Sequence, residues 1–217
     1  MFKFYLNIKD NEGITLIEIV VVISIMMLFS IILISDFPKM QKQFALSRAT
    51  YKLAQDLRKT EDLSLSGVQT YDKNKTEIVV RGYGVYISNT PTSEYIIYAD
   101  VPLDPTYPNS PSDQKYSGGT PYVYCNTIDQ TSRPRKEDCV IEKIDISNVS
   151  NGGHPSLEIS KIDNIISTST SINFSPPDPT IKINNLSPSK SEVGINLSNG
   201  LSNRRVSVNT SGLIDVQ

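Results

Sequence analysis

An uncharged run from Ile19 to Ile34, apolar but for Ser24 and Ser30 and with the carboxylate of Glu18 at its leading end, limits what this chain can fold into more than any other feature. Counted from Ile14, the segment to Ile34 reaches about 30 Å at ~1.5 Å per helical residue, the thickness of a bilayer's hydrocarbon core. Its Ile and Val content suits a helix in water poorly. A segment in lipid must satisfy its own backbone hydrogen bonds, which leaves only helix or closed barrel. A secretory signal would have a basic start, a shorter apolar core and a small-residue cleavage site behind that core, and none of these precedes Phe37-Pro38. The apolar segment is therefore expected to stay in the mature protein.

A charge within a membrane segment costs on the order of 2.5–3.5 kcal/mol on insertion scales, so Glu18 calls for a cation. The nearest source is an amine made by cutting the chain after Gly13, which leaves a charged amino terminus on Ile14 at nearly the depth of Glu18. The order Gly13-Ile14-Thr15-Leu16-Ile17-Glu18, behind a short polar leader and ahead of the span, resembles the class III signal of type IV pilins and pseudopilins. Two positions depart from that pattern. The leader ends Lys9-Asp10-Asn11-Glu12 where the family more often has basic residues, and Ile14 stands where phenylalanine is commonest. The plain alternative is a signal anchor whose Glu18 snorkels to an interface.

Asp36-Phe37-Pro38 interrupts the apolar run, and the proline predicts a bend rather than a stop. Beyond it, Leu46, Ala49, Leu53 and Leu57 recur at helical spacing, with Lys42, Arg48, Lys52, Arg58 and Lys59 mostly elsewhere on the wheel as a solvated face. This amphipathic continuation is expected to end near Ser66-Gly67, where glycine suits a C-terminal cap. From Lys75 the period changes to two. Glu77 to Ser88 and Glu94 to Ala99 predict a hairpin around the loop 89–93, with Gly82 and Gly84 at bulge or close-approach positions. Tyr83, Val85 and Ile87 would share one face, covered by Tyr95, Ile97 and Ala99. The tyrosines fit sheet packing better than a stacking platform for bases or sugars.

Residues 100–120, rich in Pro, Asp, Ser and Gly, predict a long surface loop. Asp100, Asp104 and Asp113 offer oxygens to calcium but lack the dense alternation of a dedicated loop, and Pro102 and Pro105 restrict its path, so no metal site is assigned. Further strands are expected at Val140 to Ile146, Leu157 to Ile166, Ser171 to Phe174, Thr180 to Ile183, Val193 to Leu197, Arg205 to Val208 and Leu213 to Val216, the last two forming a C-terminal hairpin. Cys125 and Cys139 are the only cysteines. Beyond a membrane span such a pair most simply forms one disulfide, contributing about 3 kcal/mol in the chain-entropy model; in a reducing compartment they would be two thiols.

The helix through Leu53-Ala54-Gln55-Asp56-Leu57-Arg58-Lys59, the strand Gly82-Tyr83-Gly84-Val85-Tyr86-Ile87 and a basic strand leading to Ser211-Gly212-Leu213-Ile214 narrow the likeness to FimT- and GspH-type minor pilins and pseudopilins. That resemblance implies an α+β, pilin-like fold: a long N-terminal helix whose outer half packs on an antiparallel sheet domain. The chain would divide into a leader (1–13), a transmembrane helix (14–35), a helical continuation (36–67) and one extracytoplasmic β domain (68–217). It implies a structural subunit of a pilus-like filament, without catalytic residues or cofactor. Prepilin peptidase would cut after Gly13 and the new Ile14 amine would be methylated. Glu18 would neutralise the Ile14 amine of a neighbouring subunit as a membrane assembly platform adds it to the filament. The leader would lie in the cytoplasm and the C-terminal domain outside. A type II secretion pseudopilin fits the same features.

Two readings from other classes compete with the filament subunit. Some FimT-like pilins serve DNA uptake, and Arg204-Arg205 lies in the matching region, but two arginines and a net charge of −2 make a weak nucleic-acid footprint. A sortase-like cysteine transpeptidase would need Cys125 or Cys139 with His154 and Arg133 or Arg135. Neither cysteine sits in a Thr-Leu-x-Thr-Cys context, and His154 lies in a turn signature, Asn151-Gly152-Gly153-His154-Pro155. There is no zinc pattern, phosphate-binding glycine loop or Gly-x-Ser-x-Gly elbow.

Overall fold

The structure, a computed structural model, describes residues 14–103, 111–129, 137–147, 157–176 and 180–217, without the side chains at 35 and 180. Residues 1–13, and with them Gly13, lie outside those residues, as do Asp104, Arg133, Arg135 and His154. One helix, α1, runs Leu16–Leu65 and continues through Pro38. Every described side chain from Ile14 to Gln41 is exposed, and the apolar stretch is long enough to cross a membrane. By its internal contacts the chain divides after Gln41.

Within Lys42–Gln217, α1 buries the stripe its spacing predicts: Leu46, Ala49, Leu53 and Leu57 are all at most 1% exposed. The helix ends at Gly67, whose φ of +59° is one that glycine adopts without strain. The Gly67 N–H donates to Ser64 O (3.3 Å) and the Val68 N–H to Leu63 O (3.4 Å), the paired bonds of a helix C-cap. Three of the basic residues on the expected solvated face have partners, one within the helix and two on the sheets. Lys52 pairs with Asp56, Lys59 with Glu142 at 2.9 Å, and Arg58 donates to Ile214 O at 3.2 Å.

Antiparallel strands follow: β1 Thr70–Tyr71, β2 Glu77–Ile78, β3 Gly82–Ile87, β4 Glu94–Asp100, β5 Cys139–Asp145, β6 Glu158–Asp163, β7 Thr170–Ser175, β8 Thr180–Ile183, β9 Glu192–Ser198, β10 Asn203–Asn209 and β11 Ile214–Val216. The layout is therefore α+β. Strands β5-β4-β3-β7-β8 form one sheet, β11-β10-β9-β6 a second, and β1-β2 a small ribbon. One apolar core joins the inner faces of the two larger sheets to α1, uniting Leu53 and Leu57 with Val85, Ile97, Phe174, Ile195 and Val206.

The expected strand Glu77 to Ser88 divides in two. The Asp72 carboxylate accepts the Asn74 and Thr76 N–H groups (2.8 and 2.7 Å), closing a turn that pairs β2 with β1 and leaves β3 to begin at Gly82. The β3–β4 hairpin has the register that places Tyr83 opposite Ala99 and Val85 opposite Ile97. Gly84 is a close-approach position, since a Cβ there would lie 2.4 Å from the Tyr98 ring; the bulge falls instead on the β4–β5 pairing, at Ile97/Tyr98.

The expected surface loop has neither helix nor strand in its described parts, 101–103 and 111–120, and residues 111–120 are exposed or partly exposed. The stretch 111–120 also covers the other face of the five-stranded sheet: Tyr116 stacks on Tyr86 (4.8 Å between centroids), meets Tyr98 edge-on (5.2 Å) and donates its N–H to Ser171 Oγ (3.0 Å). Period two in β3 and β4 marks only the inner face. The outer face is apolar as well, because Tyr86, Ile96 and Tyr98 stand on it and need a cover.

Candidate functional site

Two places carry arrangements that packing alone does not account for. The first is the start of α1. Thr15 stands just before the first helical residue; its Oγ1 accepts the Glu18 N–H, and its own N–H donates to Glu18 Oε2, both at 3.3 Å. Thr15 Oγ1 also lies 3.3 Å from Glu18 Oε2 as donor. This is a capping box: a threonine and a glutamate three residues on satisfy each other's backbone donors. Sequence reasoning gave Glu18 an external cation and overlooked the Thr-x-x-Glu signal that predicts the cap. Ile14 is 74% exposed beside it.

Cys125, in a 3-10 turn at Cys125–Thr127, is joined to Cys139 at the start of β5. The bond sits in a second, smaller core with Ile78, Tyr83, Ala99, Val101 and Ile128, so neither sulfur is a thiol. Arg205 pairs with Glu192 at 2.9 Å across β10 and β9 and lies over Gly194; Arg204 beside it is partly buried.

The second place is a buried group of acids at the outer end of β4. Asp100 closes that strand, Asp138 immediately precedes β5, and Asp113 comes from the segment between; one carboxylate oxygen of each lies within 4.8 Å of the others. Asp100 and Asp138 are 0% and 1% exposed, while Asp113 is partly open. Asp138 is the best anchored: Oδ1 accepts the Val101 N–H (2.9 Å), and Oδ2 accepts the Ser117 N–H (2.8 Å) and hydroxyl (3.1 Å). Asn173 donates to Asp100 Oδ2 (2.9 Å) and to the Tyr98 hydroxyl (3.4 Å), and Ser175 fixes the amide by donating to Asn173 Oδ1 (2.9 Å). Asp100 Oδ1, by contrast, is buried without a hydrogen-bond partner.

Two carboxylate charges at that spacing repel by roughly 3.5 kcal/mol even at an effective dielectric of ~20. Burial, with Asp138 and Asp113 nearby, pushes Asp100 up to about 7. Burial likewise raises Asp138 to about 6, against the pull of the Val101 and Ser117 hydrogen bonds. Such a group holds a proton or a cation near neutrality. Sequence reasoning had named Asp100 and Asp113 as oxygen donors but missed Asp138, because only the β4–β5 pairing brings it beside them.

No protein-family model, curated protein or solved structure matches the chain.

Proposed function

We propose that the chain is the precursor of a structural subunit of a type IV pilus-like filament, a minor pilin or its type II secretion counterpart. It would cross the cytoplasmic membrane once, with residues 1–13 in the cytoplasm and the β domain outside. The observation that carries this reading is the position of the Thr15–Glu18 capping box. It begins two residues after Gly13, at the head of a helix that is exposed and, from Ile19 to Ile34, apolar but for Ser24 and Ser30, and whose residues from Lys42 pack on antiparallel sheets. A long helix built this way and sheets of this kind support a pilin-like fold.

The cap also supports a mechanism. A cut after Gly13 would create an ammonium on Ile14, one residue before the Thr15 N–H that Glu18 already accepts. The carboxylate would then neutralise that amine within the chain until the amine of a neighbouring subunit takes its place. Exchange of one partner for another leaves no buried charge uncompensated, which in a low-dielectric bundle would be strongly unfavourable. The partners are prepilin peptidase, the other subunits and the assembly platform; the chemistry is done on this protein.

The test is co-expression with an active prepilin peptidase, followed by N-terminal sequencing and intact mass. The mature chain should begin at Ile14 and carry an added methyl group, and a bulky residue at Gly13 should block cutting. Glu18→Ala should still be cut but enter filaments poorly. An uncut wild-type chain, or wild-type incorporation of Glu18→Ala, would leave the snorkelling anchor as the better account.

A further inference from the structure

We propose that Asp100, Asp113 and Asp138 form a binding site for a hard divalent cation, calcium before magnesium. This inference is independent of the filament reading. Three carboxylates converge from two strand ends and the segment that joins them. Convergence alone could be accidental, but Asp100 adds a separate observation. Its side chain is fully buried, one of its oxygens lies within 4.8 Å of an oxygen of each of the other two acids, and Oδ1 is buried without a hydrogen-bond partner. Most buried polar atoms find a partner, so a carboxylate oxygen buried without a donor, on a residue beside two further carboxylates, calls for positive charge.

The donor set selects the ion. All three donors are carboxylates, with neither sulfur nor imidazole among the described residues nearby, which fits a hard cation rather than zinc or copper. Calcium accepts six to eight oxygens in irregular geometry, whereas magnesium demands a near-octahedral shell and gives up water reluctantly. Acids fixed by strand ends make an irregular set, with the remaining positions left to water and backbone oxygen. Asp138 is held in place by three hydrogen bonds to Val101 and Ser117, and Asp100 by Asn173, so the site is preformed on its buried side. Asp113 is the partly open member and marks the way in; Lys115, 3.8 Å from its carboxylate, is itself half exposed and free to swing aside. The rival is an acid pair sharing a proton, with no ion at all.

The full-length chain in detergent, stripped with chelator at near-neutral pH, is titrated with calcium and, separately, with magnesium by calorimetry. Melting temperature is followed across the same concentrations. Terbium is a second probe: with no tryptophan in the chain, sensitised emission would report tyrosine, and Tyr98 shares Asn173 with Asp100. One calcium per chain is expected, at least about tenfold tighter than magnesium, with a melting temperature that climbs with calcium concentration. Asp113→Asn and Asp138→Asn should each weaken calcium at least tenfold and dim terbium emission. If Asp138→Asn fails to fold, Asp113→Asn decides, because Asp113 lies in a connecting segment and holds no strand. The proposal is overturned by a wild-type chain with neither heat nor melting shift up to millimolar calcium, or by undiminished binding to Asp113→Asn. It is equally overturned if Asp100→Asn stabilises the stripped chain while calcium does nothing to the wild type, since that assigns the shared proton.

Discussion

Truncating Leu53 to alanine in the fragment Lys42–Gln217 asks whether the helix is part of the domain's core or merely lies against it. Leu53 is 0% exposed and belongs to the cluster that holds inner-face residues of both large sheets. Its neighbours on the stripe, Ala49 and Leu57, are themselves buried, and the facing side chains stand on hydrogen-bonded strands that cannot close over a lost isopropyl group. Leu→Ala costs run from about 2.7 to 5.0 kcal/mol, rising with the cavity that remains, so a rigidly walled site belongs in the upper half, at about 4 kcal/mol. For a domain of this size each kcal/mol moves the melting temperature by roughly 2–4 °C, giving a fall of about 8–16 °C. The assay is a thermal melt and a urea titration followed by circular dichroism, with Tyr51→Ala as the control. Tyr51 lies on the same helix but is 54% exposed, and should change stability by no more than about 0.5 kcal/mol. Equal shifts for the two variants would refute the reasoning, because they would mean that α1 is not sealed into the core.

Gly84→Ala should destabilise the same fragment by about 1–3 kcal/mol through overpacking, because the new methyl would meet the ring of Tyr98, which is fully buried; an unshifted urea midpoint would show that the ring can yield. Replacing Cys125 and Cys139 together by serine should cost about 3 kcal/mol and lower the melting temperature without abolishing the fold, which calorimetry with and without reductant checks on the parent. For the metal-free chain, the raised values of Asp100 (about 7) and Asp138 (about 6) fix the sign of the pH response. The folded state holds protons that the unfolded chain has already released, so stability is fullest in mild acid and declines as pH rises through 6 and 7. The groups facing Asp100 are Asp138, Ser112 and Asp113 from the neighbouring segments, Asn173 from β7 and Tyr98 on its own strand. Melts in chelator across that range should show the decline, and Asp138→Asn should flatten it; a stability that rises with pH would contradict the assignment.

The α1 stripe and strands β3 to β11 stood in the sequence because they rest on local patterns of apolar residues that burial makes visible. Leu46, Ala49, Leu53 and Leu57 repeat with the helix, and Val193 to Leu197 with the strand. What the sequence hid is what depends on pairing between distant segments. Nothing local places β7 rather than β2 beside β3, and once β7 is there it delivers Asn173 to Asp100. Asp56 hid for another reason. It falls on the buried side of the wheel, where a charge is unexpected, and is tolerated because Lys52 and the Tyr95 hydroxyl, at 2.6 Å, satisfy it. At the head of the helix, Thr15 and Glu18 were in plain view. Attention to the cost of the charge obscured its simplest partner, a backbone donor three residues away.

The bonds that α1 makes to the far end of the domain bear on the order in which the protein can come into being. Arg58 is held by the carbonyl of Ile214, and Asn199 reaches the carbonyl of Lys42. The first segment of the domain to be synthesised therefore waits for the last. Until β11 has left the ribosome, the core around Leu46, Leu53 and Leu57 still lacks Ile214, so the earliest helix keeps part of its apolar surface uncovered to the end of translation. A stop before Ile214 should leave the helix without its tie at Arg58 and that part of the core open.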